Sequence, residues 1–96
     1  MNERDFMQDN GKPAIADQLR AFIRQKFKIP EQDGEFNDDV HLFDYGYVDS
    51  FGAVELTTFV EKTFGTRISE TDLVAYPLNT INEIADFVWK RQKGAV

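Results

Sequence analysis

Ile15, Leu19, Phe22, Ile23 and Phe27 stand three and four residues apart, which puts them along one side of a helix and in no register that suits a strand. The stripe opens after Pro13, a residue suited to a first helical turn, and stops at Pro30. The same period returns from about Ser50 to Phe64, where Gly65 is suited to the left-handed conformation that ends helices. Ser69-Glu70-Thr71-Asp72 reads as a cap opening a short helical turn that must stop before Pro77. Thr80-Ile81-Asn82-Glu83 is a capping box, followed by Ile84, Ala85 and Val88 on the side of Ile81. Lys90, Arg91 and Lys93 fall near the end of that helix, where cations suit the dipole, and Trp89 is expected to cover the edge of the core. With no credible strand pair and no repeat, the chain is expected to be all-α. The expected form is a small four-helix bundle, with three main helices, a short third helix and a long loop between helices one and two.

The polar run from Met1 to Lys12 is expected to be a flexible N-terminal segment, the folded domain to occupy 13–93, and 94–96 to form a tail. The loop from Pro30 to Asp49 is long for a compact domain, which favours a functional role. Leu42, Phe43 and Tyr45 are the residues expected to pin it to the core. Between Lys28 and Lys62 there is no Lys or Arg, while acids stand at Glu31, Asp33, Glu35, Asp38, Asp39, Asp44, Asp49, Glu55 and Glu61. Such a surface is either simply solvated or steers basic protein partners toward it. A net charge of −6 argues against nucleic acid, whose phosphates need clustered Lys and Arg.

The chain has 96 residues, enough for one small core, and no cysteine. Disulfides, thiolate metal sites and cysteine nucleophiles are thereby excluded, and any thiol chemistry must arrive on a cofactor. No apolar run approaches membrane-spanning length, and Met1-Asn2-Glu3-Arg4-Asp5-Phe6-Met7 lacks the blocks of a secretory signal, so a cytoplasmic monomer is expected.

Ser50 sits where the acidic loop gives way to the second main helix, directly after Asp49. An aspartate there can cap free backbone N–H groups, and a helix start favours added negative charge such as a phosphodiester. On a wheel of about 100° per residue, Phe51, Val54, Glu55, Thr58 and Glu61 fall on the serine's side. Ala53, Leu56, Phe59, Val60, Thr63 and Phe64 form the opposite, buried stripe. Phe51 and Val54 are thus expected to form a small apolar docking patch, flanked by Glu55 and Glu61. Gly52 costs a helix about 0.5–1 kcal/mol against alanine. It either admits a cofactor arm or enzyme close to Ser50 or is merely tolerated in a first turn.

Asp49-Ser50-Phe51, followed by Val54-Glu55-Leu56, resembles the Asp-Ser-Leu attachment motif of acyl and peptidyl carrier proteins. The likeness extends from the first amphipathic helix through the long loop to Phe64-Gly65, Ile68 and the Thr80-Ile81 helix start. The resemblance implies a carrier domain over 13–93 that is not itself an enzyme. It implies that a phosphopantetheinyl transferase moves 4′-phosphopantetheine from coenzyme A onto Ser50, with Asp49 at the transferase contact. The arm's thiol would then carry acyl or aminoacyl groups as thioesters to synthase or transferase enzymes with basic docking patches, in fatty acid, polyketide or related biosynthesis. Phe51 replaces the family's usual leucine, and Gly52 and Lys62 stand where many fatty-acid carriers have acids. Asp-Ser-Phe-Gly resembles the D-alanyl carriers of cell-wall modification, which have methionine after the serine. These departures point to a specialised carrier loaded by a dedicated acyl- or aminoacyl-activating ligase or synthase.

Three other readings compete. Asp33, Glu35, Asn37, Asp39, His41 and Asp44 follow the ligand spacing of a calcium loop, but Asp38 occupies its central glycine position and Asp44 replaces the bidentate glutamate. A serine hydrolase needs a base, and His41, the one histidine, lies in the acidic loop with nothing to aim it at Ser50. An acidic helical interaction module without a cofactor remains open on composition.

Overall fold

The structure, a computed structural model, describes residues 11–94. These form α1 (Gly11–Lys26), α2 (Ser50–Phe64), α3 (Glu70–Ala75) and α4 (Ile81–Gln92), with no strand among the described residues. The all-α bundle and its short third helix are as the apolar spacing predicts. Within the described range α1 already includes Gly11 and Lys12, two residues expected in the leading segment before Pro13; residues 1–10 of that segment lie outside the described range. Gly11 lies close against α4, where a Cβ would stand 2.7 Å from Trp89 Cδ1. Glycine leaves room for that ring.

α1 and α4 pack on each other through Ile15, Ala16, Leu19 and Ile23 from one side and Ile81, Ile84, Ala85, Phe87 and Val88 from the other. α2 adds Leu56 and Val60. Phe22 stacks on Phe59 with ring centroids 4.0 Å apart, joining α1 to α2 at the rim of the core. Thr63, expected in the buried stripe of α2, is exposed; the stripe narrows because Gly52, Leu56 and Val60 line up toward the core.

Local chemistry sets the ends. α1 closes with Lys28 in the left-handed region at φ 57°, the Ile29 N–H donating to Arg24 O at 2.9 Å, and Ile29 buried. That bond and the buried residue after the turn are those of a Schellman end, with lysine where glycine is favoured. α2 ends on Gly65 at φ 64°, as expected. Ser69 with Asp72 and Thr80 with Glu83 form reciprocal capping boxes at the starts of α3 and α4.

The segment between α1 and α2 has no helix, yet it is tightly held. Phe36, Val40, Leu42 and Val48 enter the core, whereas Tyr45, expected to anchor it, is 63% exposed. Arg20 grips Asp38 through two hydrogen bonds of 2.8 Å, and the Asn82 N–H donates to Asp38 O at 3.0 Å. Leu42 N–H donates to Asn79 O at 2.9 Å. Asp33 takes the Glu35 N–H at 2.9 Å and the Tyr47 hydroxyl at 3.0 Å, and these two donors, in that order of weight, hold its carboxyl below the ordinary 3.8. Among the described residues no helix is long and apolar enough to cross a membrane.

Candidate functional site

The Ser50 end of α2 is built by its cap. Asp49 holds extended backbone (φ −93°, ψ −176°), and its Oδ1 accepts the Gly52 N–H at 2.7 Å. Its carbonyl accepts the first helical N–H, that of Ala53, at 2.8 Å. Val48, buried in the core, fixes the chain just before the cap. Ser50 is therefore the first residue of α2, exposed, and carried on a backbone held from both sides.

Phe51 is 75% and Val54 64% exposed beside the serine, where the wheel put them. Behind Val54 a cleft of about 590 Å³ opens between α2 and the α3 segment, lined by Ala53, Thr57, Ile68, Leu73, Tyr76 and Leu78 among others. Leu73 and Val74 on α3 are 54% and 89% exposed, so the apolar surface beginning at Phe51 continues across the cleft. The sequence reading missed this half. Its signal was a two-residue apolar step, Leu73-Val74, in a helix too short to bury it.

α3 has no buried residue of its own. It is held by Arg91, whose guanidinium reaches Asp72 at 3.0 Å, lies 4.5 Å from the Phe87 ring centroid and donates to Arg67 O at 3.3 Å. Asp72 serves both the cap and this pair, and the Ser69 N–H first, then Arg91, hold its carboxyl below the ordinary 3.8.

The two acids read as docking groups have partners inside the fold. Glu55 lies 3.2 Å from Lys26 Nζ of α1, and Glu61 Oε2 accepts the Ile68 N–H at 2.8 Å, bracing the connection to α3. Reading them from a wheel alone misses these partners, because neither is on the same helix. Gly52 is buried, and a Cβ there would lie 2.6 Å from Phe27 Cε1. The missing side chain makes room for the ring of Phe27, the residue after α1, so this glycine is not merely tolerated.

His41 accepts the Asp44 N–H on Nδ1 at 3.0 Å and meets the Phe43 ring edge-on, a loop brace. No hydrogen bond joins it to Ser50 among the described residues, and its Nδ1 is spent on the loop. In the calcium-like spacing, Asp33 and Asn37 spend side-chain oxygens on backbone N–H groups and Asp39 pairs with Asn82. No group of three or more His, Asp or Glu suited to a metal ion forms among the described residues.

An exposed serine hydroxyl at a helix start, in a chain with no thiol of its own, fits a covalently attached phosphodiester group. A family model described as a phosphopantetheine attachment site matches residues 17–88, well over half of the chain. The D-alanyl carrier protein of Bacillus velezensis is 38% identical over 50 residues, which is 52% of this chain and 64% of that relative. The match thus spans less than two thirds of the relative's length. No solved structure gives a match.

Proposed function

This chain belongs to the phosphopantetheine attachment family, whose members are carriers holding covalent 4′-phosphopantetheine, and from that premise we propose that Ser50 is its attachment residue. The observation that carries the reading is the exposed Ser50 at the first position of α2, inside the matched region and directly after the Asp49 cap. In the transfer, the Ser50 oxygen bonds to the phosphorus that bears the pantetheine arm of coenzyme A. The pyrophosphate bond breaks, and 3′-phosphoadenosine 5′-phosphate leaves. The Ser50 proton passes to a group on the transferase. Asp49 contributes by fixing the backbone on which the hydroxyl stands.

Once attached, the group supplies the thiol that this cysteine-free chain lacks, and with it a thioester link to an acyl or aminoacyl cargo. Phe51 and Val54 serve as the apolar contact for the transferase and for later partners, extended by Leu73 and Val74. The role of Glu55 and Glu61 in docking is indirect: they hold α2 against α1 and against the α3 connection. Likeness to a D-alanyl carrier protein, together with glycine at 52 and lysine at 62, supports a specialised pathway with a dedicated activating ligase. An aminoacyl cargo is the favoured class.

The test is loading. Purified protein converted to the phosphopantetheinylated form should accept an aminoacyl group from an adenylating ligase, with Ser50→Ala inert. Failure of the modified form to accept either aminoacyl or acyl groups from any of a panel of ligases would overturn the carrier assignment of Ser50.

A further inference from the structure

The notch at Gly52 is filled by Phe27, the residue that follows α1. A Cβ at Gly52 would lie 2.6 Å from Phe27 Cε1 and 3.0 Å from Phe27 Cζ, and 3.2 Å from Asp49 Oδ1. That same Asp49 oxygen accepts the Gly52 N–H, so the ring edge and the helix cap meet at one residue. Carbon atoms in contact prefer about 3.5–4.0 Å, so an added methyl would force a shift of roughly 1 Å.

The partly buried ring is braced by its neighbours. Phe22 meets it edge-on at 6.3 Å between centroids, and Phe22 is itself stacked against Phe59. The backbone behind it is fixed by the left-handed Lys28 and the bond from Ile29 N–H to Arg24 O. A second tie, Lys26 to Glu55, joins the same two helix ends. The start of α2 is thereby located by the end of α1 as well as by its own cap.

We propose that Phe27 and Gly52 are positioning residues for modification of Ser50: the ring seated in the glycine notch sets where the Asp49 cap and the first turn of α2 stand, and so where the hydroxyl is presented. This rests on Ser50 being the attachment residue. Neither residue touches the reacting atoms. Their effect passes through the Asp49 cap, which adjoins the serine.

The experiment is a double-mutant cycle on the whole chain, with Gly52→Ala, Phe27→Leu and the pair. Leucine lacks the ring atoms that the added methyl would strike. A broad-specificity phosphopantetheinyl transferase with coenzyme A supplies kcat and KM for each variant, and hydrogen exchange reports the residue 52 amide. Gly52→Ala should lose about tenfold to a hundredfold in kcat, the scale of a misplacement near 1 Å, and the pair should regain most of it. Phe27→Leu, which adds no atoms, should speed exchange at residue 52 while amides of α4 hold their rates. A Gly52→Ala protein modified with the wild-type kcat and KM would overturn the proposal, as would a pair no faster than Gly52→Ala alone. So would unchanged exchange in Phe27→Leu, which also covers the case in which Gly52→Ala does not fold. If wild-type protein is not modified at all, the attachment reading itself falls, which is a different outcome from a modified wild type with an unaffected Gly52→Ala.

Discussion

Asp49→Ala separates what the aspartate does for the helix from what it does for the transferase. The side chain takes one first-turn N–H, that of Gly52, at 2.7 Å, from a backbone already in the extended geometry of a cap. Loss of such a cap costs about 0.5–2 kcal/mol. In a domain of this size each kcal/mol moves the melting midpoint by roughly 4–8 °C, so a loss of about 1 kcal/mol lowers Tm by about 6 °C. Asp49→Asn keeps an acceptor oxygen in the same place and gives up only the charge, which at a helix start contributes about 0.3–1 kcal/mol. The assay is thermal unfolding by circular dichroism of the three proteins side by side, with modification rates measured below the lowest midpoint. The expected order of midpoints is wild type, then Asn, then Ala. An Ala variant that melts with wild type, or an Asn variant as unstable as Ala, would refute the capping argument. Asn with near-native stability and a much lower modification rate would assign the charge itself to the transferase contact.

Further outcomes follow from single contacts. Lys28→Gly should stabilise the chain by about 1 kcal/mol in chemical denaturation, because it relieves the one non-glycine residue at positive φ among those described; destabilisation would contradict the strain. Glu61→Ala should cost about 1 kcal/mol by unfolding and expose the Ile68 amide to exchange, and a neutral result would remove its bracing role. Asp33, Asp72 and Asp86 all have carboxyls held below the ordinary 3.8, Asp86 chiefly by Lys90. A depressed folded value means stability fully present above the unfolded value and lost as pH falls through the folded one, so Tm should hold from about pH 7 to about pH 5 and fall below about pH 4. A midpoint that rises on acidification would reverse the sign.

The parts of this molecule that the sequence discloses are those governed by neighbours along the chain. Asp49, Ser69 with Asp72, and Thr80 with Glu83 reach N–H groups three residues away, and Gly65 closes α2 by its own conformation, so all four could be placed without the fold. What escaped is decided across the chain. Tyr45 and Phe36 look equally able to anchor a loop, and only the docking of Asp38 on Arg20 and of Leu42 on Asn79 settles that Phe36 goes in and Tyr45 stays out. Gly52 was visible as an anomaly, but its cause is Phe27, twenty-five positions earlier. Glu55 and Glu61 have partners, Lys26 and the Ile68 N–H, that lie beyond α2 and so cannot be read from a wheel of that helix. The apolar surface was seen at Phe51 and Val54 and missed at Leu73 and Val74, since a wheel drawn for one helix cannot show its continuation on another.

The central claim is that Ser50 carries the phosphopantetheine, and intact mass tests it directly. Wild-type protein and Ser50→Ala are incubated with coenzyme A and a broad-specificity transferase; Ser50 is exposed and makes no core contact, so the variant should keep its stability within about 0.5 kcal/mol. The expected result is a gain of one phosphopantetheinyl group in wild type and none in Ser50→Ala. A wild type that gains nothing, or a gain that survives in Ser50→Ala, would contradict the claim.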